Sequence, residues 1–166
     1  MENRTENTWK IFNNQQDLIR LFDTKVNVLL VISGITTSFL LVNLKEIFSL
    51  EMTGKTMFGL FVLFFACFVV FALLTIFPRK PSKSGKSIPK LIYFKDIASR
   101  IEAKDYVEDF EKTSDKELQN DLYYQIYELA AIVKLKSGNY FKAWIFLILQ
   151  FVVFTVVLVI MNFADG

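Results

Sequence analysis

The sequence contains few residue patterns that could do chemistry, and the most suggestive is Ser-Gly-Lys-Ser at 84–87. A phosphate-binding loop would also need a glycine five positions before Gly85 and a buried strand ahead of it. Lys80 occupies that position, and no strand pattern precedes it. Acidic residues that could act as paired carboxylates lie on a charged helical pattern and are expected to be solvated: Asp105, Glu108, Asp109 and Glu111. Because there is also no histidine for general-base work, we predict that the protein is not an enzyme.

The same composition limits metal and redox chemistry. Cys67 is the only cysteine and lies within an apolar run, so it cannot form an intrachain disulfide and is expected to be a packing residue. With no histidine and one cysteine, a zinc site built on those ligands is not expected, and no cofactor is predicted. The net charge of +2 is too small to indicate a nucleic-acid partner.

The densest charge cluster is the run at 79–90, which has five basic residues, two prolines and no acidic residue. Three interpretations remain open for it. It is an orientation signal that also attracts anionic lipid, a site for an anionic nucleotide, or a docking segment for a partner. If it binds a nucleotide, the candidate ligand-binding residues are Lys83, Lys86 and Lys90.

The elements that carry these residues are set by three long apolar runs. Hydrophobic residues make up 53% of the chain, and 18 residues are phenylalanine. The first run has about 19 uncharged residues, which at ~1.5 Å rise per residue give roughly 28 Å, enough to cross the hydrocarbon core of a bilayer. We therefore predict an all-α membrane protein with three transmembrane helices, at 26–44, 56–77 and 143–163.

The segments between the spans have distinct charge, and this predicts orientation. Residues 78–142 hold 13 Lys and Arg, whereas the 45–55 link holds two and the 164–166 tail holds none. Since Lys and Arg accumulate on the cytoplasmic side, the insert at 78–142 and the amino terminus are predicted to be cytoplasmic, and the 45–55 link and carboxyl terminus to lie outside. Residues 1–25 are predicted to form an amphipathic helix that begins near Thr8 as N-cap and runs into the first span without a break.

Small and weakly polar residues predict which faces of the spans pack. The residues assigned to helix packing or gating are Asp23, Lys25, Asn27, Gly34 and Ser38. Close approach of helices in lipid favours such small residues, although an ordinary span with scattered hydroxyl groups fits the pattern equally well. Asp23 and Lys25 are either a simple interfacial ion pair or part of a gate or subunit contact. On the second span Gly59 and Ala66 are expected to meet the first span, with the phenylalanines facing lipid. An aqueous path would be lined by Asn27, Ser33, Thr36, Thr37 and Gln150, by exposed backbone, or by lipid.

The insert is predicted to be helical. Ser114 and Glu117 have the spacing of a capping box, in which each side chain accepts from the backbone of the other. Behind it an apolar stripe recurs at helical spacing: Leu118, Leu122, Ile126, Leu129 and Val133. This stripe is expected to be bundle core, with a ligand groove as the alternative. Residues 137–139 either cap this helix or soften it before the third span, and Pro78 is expected to end the second span.

Three segments of the chain resemble the Pycsar effector membrane family. Asp23-Thr24-Lys25, followed by Leu29-Leu30 and Gly34, is similar to the signature that opens the first span in that family. Residues 93–98 with Tyr106 resemble its second conserved segment, and residues 121–133 its helix before the last span. Lys95 stands where the family usually has glycine, and Ser137-Gly138 lies near its Lys-Tyr pair.

The resemblance implies a bacterial antiphage effector in the inner membrane. In that family a partner cyclase makes cyclic CMP or cyclic UMP on infection, and the effector impairs the membrane as an abortive-infection response. It further implies a pyrimidine nucleotide cyclase as functional partner and a cyclic nucleotide as ligand. The small-residue faces of the spans predict a homo-oligomer in the bilayer. A membrane adaptor for a cytosolic partner and an unregulated holin-like pore subunit remain the alternatives.

Overall fold

A computed structural model describes residues 2–78, 97–98 and 100–164. Of these residues 93% are helical and none lies in a strand. The helices are α1 (Glu2–Val42), α2 (Leu44–Ser49), α3 (Glu51–Ile76), α4 (Ala103–Lys112) and α5 (Asp115–Ala164). The predicted all-α architecture is therefore confirmed for the described part of the chain.

Three helical segments are long and apolar enough to cross a membrane: Thr5–Val42, Met52–Ile76 and Asp115–Asn162. Each covers all but the last one or two residues of a predicted span, so the protein is a membrane protein with three candidate spans. The side of the membrane on which each end lies stays a prediction, as do the region boundaries at 25, 44, 55, 77, 142 and 163.

The chain divides into two compact units. One, here called the charged unit, comprises Met1–Ile19 and Lys80–Lys134, and the other, the apolar unit, comprises Arg20–Arg79 and Leu135–Gly166. Two of the boundaries fall inside helices, between Ile19 and Arg20 in α1 and between Lys134 and Leu135 in α5. The uninterrupted α1 confirms the predicted run from the amphipathic segment into the first span. In α5 residues 137–139 do not break the helix.

The apolar unit has two hydrophobic clusters, both built from α1, α3 and α5, and the second also includes Ile47 of α2. Val26 of α1 belongs to the first cluster and Leu40 of α1 to the second. The remaining buried members of the first cluster are Leu29, Phe68, Ala72, Ala143 and Leu147, and those of the second are Ile47, Phe61, Val153 and Val157. The buried positions of α1 step by three and four residues, which is the spacing that keeps one seam of a helix against its neighbours.

The expectation for the inward face of the second span was wrong. Gly59 and Ala66 are exposed, and a Cβ added at Gly59 would meet nothing within 4 Å. Phe61 and Phe68 are buried instead, with exposed fractions of 2% and 0%. Lipid and the protein interior are equally apolar, so hydrophobicity does not decide whether a phenylalanine faces lipid or the other helices. Here the large rings of Phe61 and Phe68 fill the space between the helices.

A sharp corner joins α2 to α3 and depends on Gly54. A Cβ at this position would collide with the carbonyl oxygen of Ile47 and lie 2.9 Å from its carbonyl carbon. Ile47 itself is fully buried, and the Phe48 ring meets Phe58 edge-on at 5.5 Å. The corner is therefore packed so closely that the side-chain-free residue is required.

In the charged unit two predictions are confirmed, the capping box and the apolar stripe, and one is wrong, the Thr8 N-cap. The Ser114 N–H donates to Glu117 Oε2 at 3.0 Å and the Glu117 N–H donates to Ser114 Oγ at 3.4 Å, which is the predicted capping box. In the apolar stripe Leu122 is buried, and Leu118, Ile126, Leu129 and Val133 are half-buried. Thr8 is not an N-cap, because α1 begins six residues earlier at Glu2 and the Thr8 side chain is buried inside the unit.

Candidate functional site

Lys136 is the centre of a polar cluster in the apolar unit. Its side chain is only 4% exposed, and its ammonium group donates to the carboxylate of Asp23 in α1. The same group donates to the carbonyl oxygens of Thr75 at 2.9 Å and Ile76 at 3.3 Å, at the end of α3. One side chain of α5 thus holds the other two long helices of the unit.

The end of α3 explains why the cluster forms. The last four carbonyl groups of a helix lack partners within the helix, and here they belong to residues 73–76. The Phe77 N–H donates to the Leu73 carbonyl at 2.8 Å. Pro78 has no N–H with which to continue the ladder. Asn139 Nδ2 replaces it, donating to the Leu74 carbonyl at 3.1 Å, and Lys136 satisfies the remaining two.

The charges of the cluster are complementary. The carboxyl end of a helix carries a partial negative charge, which a cation stabilises. Three acceptors, one carboxylate oxygen and two carbonyls, match the three N–H donors of a lysine ammonium group. A buried cation is strongly unfavourable without such partners. Asp23 is 38% exposed, so its carboxylate keeps access to the surface while Lys136 does not.

A second polar cluster joins α1 to α5. Gln150 is fully buried, and its Oε1 accepts from Ser33 Oγ at 2.9 Å. Gln150 Nε2 donates to Thr36 Oγ1 at 3.2 Å, and the hydroxyl groups of Thr36 and Thr37 both donate to the Ser33 carbonyl. Along both helices these residues lie between the two hydrophobic clusters. They bond one another, so an aqueous path along them would have to break these contacts.

The predicted packing or gating residues separate into two groups. Asp23 takes part in the Lys136 cluster, where its partner is not the Lys25 considered from the sequence. Lys25, Asn27, Gly34 and Ser38 are exposed on the apolar unit, and a Cβ at Gly34 would meet nothing within 4 Å. Among the described residues they form no contact face, and their role between protomers stays a prediction. The predicted ligand-binding residues Lys83, Lys86 and Lys90 lie outside the described residues.

Sequence reasoning missed Lys136 and Asn139 as site residues. Both were assigned to the charged insert, because a lysine near the start of an apolar run is usually an interfacial residue. The available signal was that Lys136 and Asn139 stand three residues apart on one helical face, directly before the third span. Pro78 at the end of the second span is the matching signal. It has no N–H, so a carbonyl group in the last turn of that span needs a donor from another helix.

The chemistry available to these residues is binding and positioning. Among the described residues no group of three His, Cys, Asp or Glu side chains could hold a metal ion. In the charged unit Gln125 is buried, and its Nε2 has no hydrogen-bond partner among the residues described. The Lys136 cluster joins three helices through an ion pair and hydrogen bonds.

Comparison with known proteins supplies the family. The model of one family, described as the Pycsar effector protein domain, matches residues 7–162 of the 166-residue chain. No curated protein and no solved structure matches this chain. The family match covers the second and third candidate spans, all but the first two residues of the first, and both polar clusters. The chain therefore belongs to the Pycsar effector family of antiphage proteins.

Proposed function

We propose that this protein is an antiphage effector that impairs the bacterial inner membrane in response to cyclic CMP or cyclic UMP. A partner pyrimidine nucleotide cyclase would make the ligand on infection, and loss of membrane integrity would end the infected cell. The observation that carries the proposal is the family match over residues 7–162, which includes two candidate spans in full and all but two residues of the first.

The division of the chain supports a ligand-driven mechanism. α1 and α5 each continue from the charged unit into the apolar unit without a break in the helix. A ligand can shift a protein between two states only through a difference in its affinity for them. We infer that the cyclic nucleotide binds the charged unit on the cytoplasmic side and favours an arrangement of α5 in which the spans no longer seal.

The proposed ligand is anionic, so we expect it to bind the basic run at 79–90. Its lysines at 83, 86 and 90 are our candidates for contacts with the cyclic phosphate. Such contacts would be charge-assisted hydrogen bonds, which are stronger than those between neutral groups. We also propose that the active form is a homo-oligomer, because the small residues Gly34 and Ser38 are exposed on α1, where a second copy could pack closely.

Dye entry into living cells tests the function. The protein is expressed with an active pyrimidine cyclase or with a cyclase inactivated at its catalytic site, and entry of a membrane-impermeant dye is followed. We expect dye entry only with the active cyclase. Dye entry with both cyclases would favour an unregulated pore, and entry with neither, together with capture of a stoichiometric cytosolic partner, would favour an adaptor.

Ligand binding is tested on purified protein by thermal unfolding with cyclic CMP, cyclic UMP and cyclic AMP. A ligand at 100 times its Kd stabilises the folded state by about 2.7 kcal/mol. The variant Lys83→Ala/Lys86→Ala/Lys90→Ala should lose the shift. The matched control replaces three exposed lysines of the same unit, Lys104, Lys112 and Lys116, and should retain it. Equal shifts in both variants would contradict the assignment of the basic run.

A further inference from the structure

Lys136 is placed where a small movement of α5 would release two helices at once. It is the second residue of the apolar unit in α5, and Asp23 is the fourth residue of that unit in α1. Both partners therefore lie within one helical turn of the points at which the helices enter the unit. We propose that Lys136 is a latch that holds the apolar unit in a membrane-tight state, and that its release separates the end of α3 from α5. This inference rests on the proposed function.

The contacts of the ammonium group make the latch close to all-or-none. Hydrogen bonds weaken steeply once the donor–acceptor distance and angle leave their optimum, so a rotation of α5 removes all three contacts together. A buried ammonium group without partners is then unfavourable and moves to water. The partly exposed carboxylate of Asp23 marks a short path to solvent. Intermediate positions are unfavourable, which is the property that a two-state switch requires.

The second polar cluster indicates which helices separate. Gln150 bonds Ser33 and Thr36, so it keeps α5 joined to α1 after the latch opens. In the described part of the chain, Lys136 and Asn139 donate hydrogen bonds from α5 to α3, and all of these go to the end of α3. Loss of the Lys136 contacts leaves the carbonyl groups of Thr75 and Ile76 without donors in an apolar environment. Water would enter at this end of α3 to satisfy them.

Leakage from liposomes, with no nucleotide present, tests the latch. Wild-type protein, Lys136→Met and Lys142→Met are each reconstituted in vesicles that hold a self-quenched dye. Methionine keeps the length and apolar stem of lysine and removes its charge and donors. Lys142 is an exposed lysine six residues along the same helix, 5.4 Å from the Phe71 ring centroid, and serves as control. We expect Lys136→Met to leak about tenfold faster than wild type or more, the change that about 1.4 kcal/mol gives in a closed–open equilibrium.

A charge-swap variant separates the α3 carbonyl contacts from the ion pair. Asp23→Lys/Lys136→Asp restores opposite charges, but an aspartate cannot donate to the Thr75 and Ile76 carbonyls. We expect the swap variant to leak like Lys136→Met. If the swap is as tight as wild type, or if Lys136→Met leaks at the wild-type rate, the proposal is overturned.

A reversible cross-link distinguishes leakage caused by separation of α3 from α5 from leakage caused by misfolding. The Phe71 and Phe146 rings stack with centroids 5.6 Å apart and join α3 to α5 without involving the latch residues. Cross-linking Cys67→Ala/Phe71→Cys/Phe146→Cys/Lys136→Met with a reducible thiol reagent should stop the leak, and reductant should restore it. Leakage that is unchanged by cross-linking overturns the proposal. The proposed function fails separately, if wild-type vesicles stay tight with every cyclic nucleotide while Lys136→Met leaks.

Discussion

Ser33 and Gln150 lie 117 positions apart in the sequence and are joined by a hydrogen bond of 2.9 Å, with both side chains fully buried. Gln150 Nε2 donates to Thr36 Oγ1, so both polar atoms of the side-chain amide have a hydrogen-bond partner. Hydrophobicity does not draw apolar helices together in lipid, so such bonds contribute to the choice of partner and register. The pair therefore fixes α1 against α5 between the two hydrophobic clusters.

Replacing Gln150 should weaken this contact by a modest amount. Interhelical hydrogen bonds in membranes contribute about 0.6 kcal/mol on average and up to about 1.7 kcal/mol, so we expect Gln150→Leu to destabilise the apolar unit within that range. Unfolding in mixed micelles measures the change. Thr155→Val is the control, because Thr155 is exposed on α5 and its hydroxyl donates to the Phe151 carbonyl of the same helix. The double variant Ser33→Ala/Gln150→Leu should cost less than the sum of the single changes.

Replacing Gln125 should stabilise the protein, whereas replacing Gln150 should destabilise it. Gln125 Nε2 is buried without a hydrogen-bond partner in the described part of the chain, and such a group costs about 1–3 kcal/mol in desolvation. Gln125→Leu removes the polar group and keeps the side-chain size, so we expect a higher midpoint of thermal unfolding. The same substitution at Gln150 serves as comparison. A loss of stability at Gln125 equal to that at Gln150 would show that the amide has an acceptor in the native protein.

Gly54 and Gly59 provide a matched pair of glycines on α3. Gly54→Ala should destabilise the α2–α3 corner by about 1–3 kcal/mol, because the new methyl group meets the Ile47 carbonyl and the backbone must shift. Gly59→Ala meets open space and should be neutral or stabilising by up to about 1 kcal/mol. Resistance to protease digestion in micelles, followed at the corner, measures the difference. Equal behaviour of the two variants would contradict the close approach at Gly54.

The capping box of α5 should make the start of this helix sensitive to acid. The backbone N–H of Ser114, followed by its hydroxyl group, holds the pKa of Glu117 below its ordinary value of 4.5. A carboxylate with a lowered folded-state pKa contributes stability above the ordinary value and loses that contribution as the pH falls through the lowered one. The hydrogen-exchange protection factors of the amides in the first turn of α5 should therefore fall as the pH drops below 4.5.

Two variants check the cause of this pH dependence. Glu117→Gln has no charge to titrate, so its exchange rates should not change with pH beyond the intrinsic chemistry. Ser114→Ala removes the hydroxyl contact and should move the pKa of Glu117 back toward 4.5 in a carboxyl NMR titration. A pKa that stays in place would assign the effect to the backbone N–H alone.

Local patterns in the sequence were enough for several elements. Three apolar runs predict three spans, since the thickness of a bilayer sets the length of an uncharged helix. Pro78 predicts the end of α3 and Ser114 with Glu117 the start of α5, because each acts on backbone groups within a few residues. The stripe from Leu118 to Val133 predicts the inward face of the polar helix, where water distinguishes one side from the other.

The inward face of the spans could not be predicted in the same way. Asn27, Gly34 and Ser38 have a spacing that suits helix packing, yet they are exposed. The buried positions lie on a neighbouring face of α1 and include Val26, Ser33 and Leu40. Both faces are largely apolar, and lipid accepts either, so periodicity does not decide between them. The partners of Ser33 are identified only once α5 lies beside α1.

By itself, then, the sequence determined helix content, the number of spans and the family, because these depend on local composition and on order along the chain. Only the tertiary structure decided that Lys136 belongs to the apolar unit and binds both Asp23 and the end of α3. A lysine near a span usually reaches water, and its burial becomes favourable only where other helices supply a carboxylate and free carbonyl groups. Those acceptors lie 113 and about 60 residues away, a separation that no local pattern encodes.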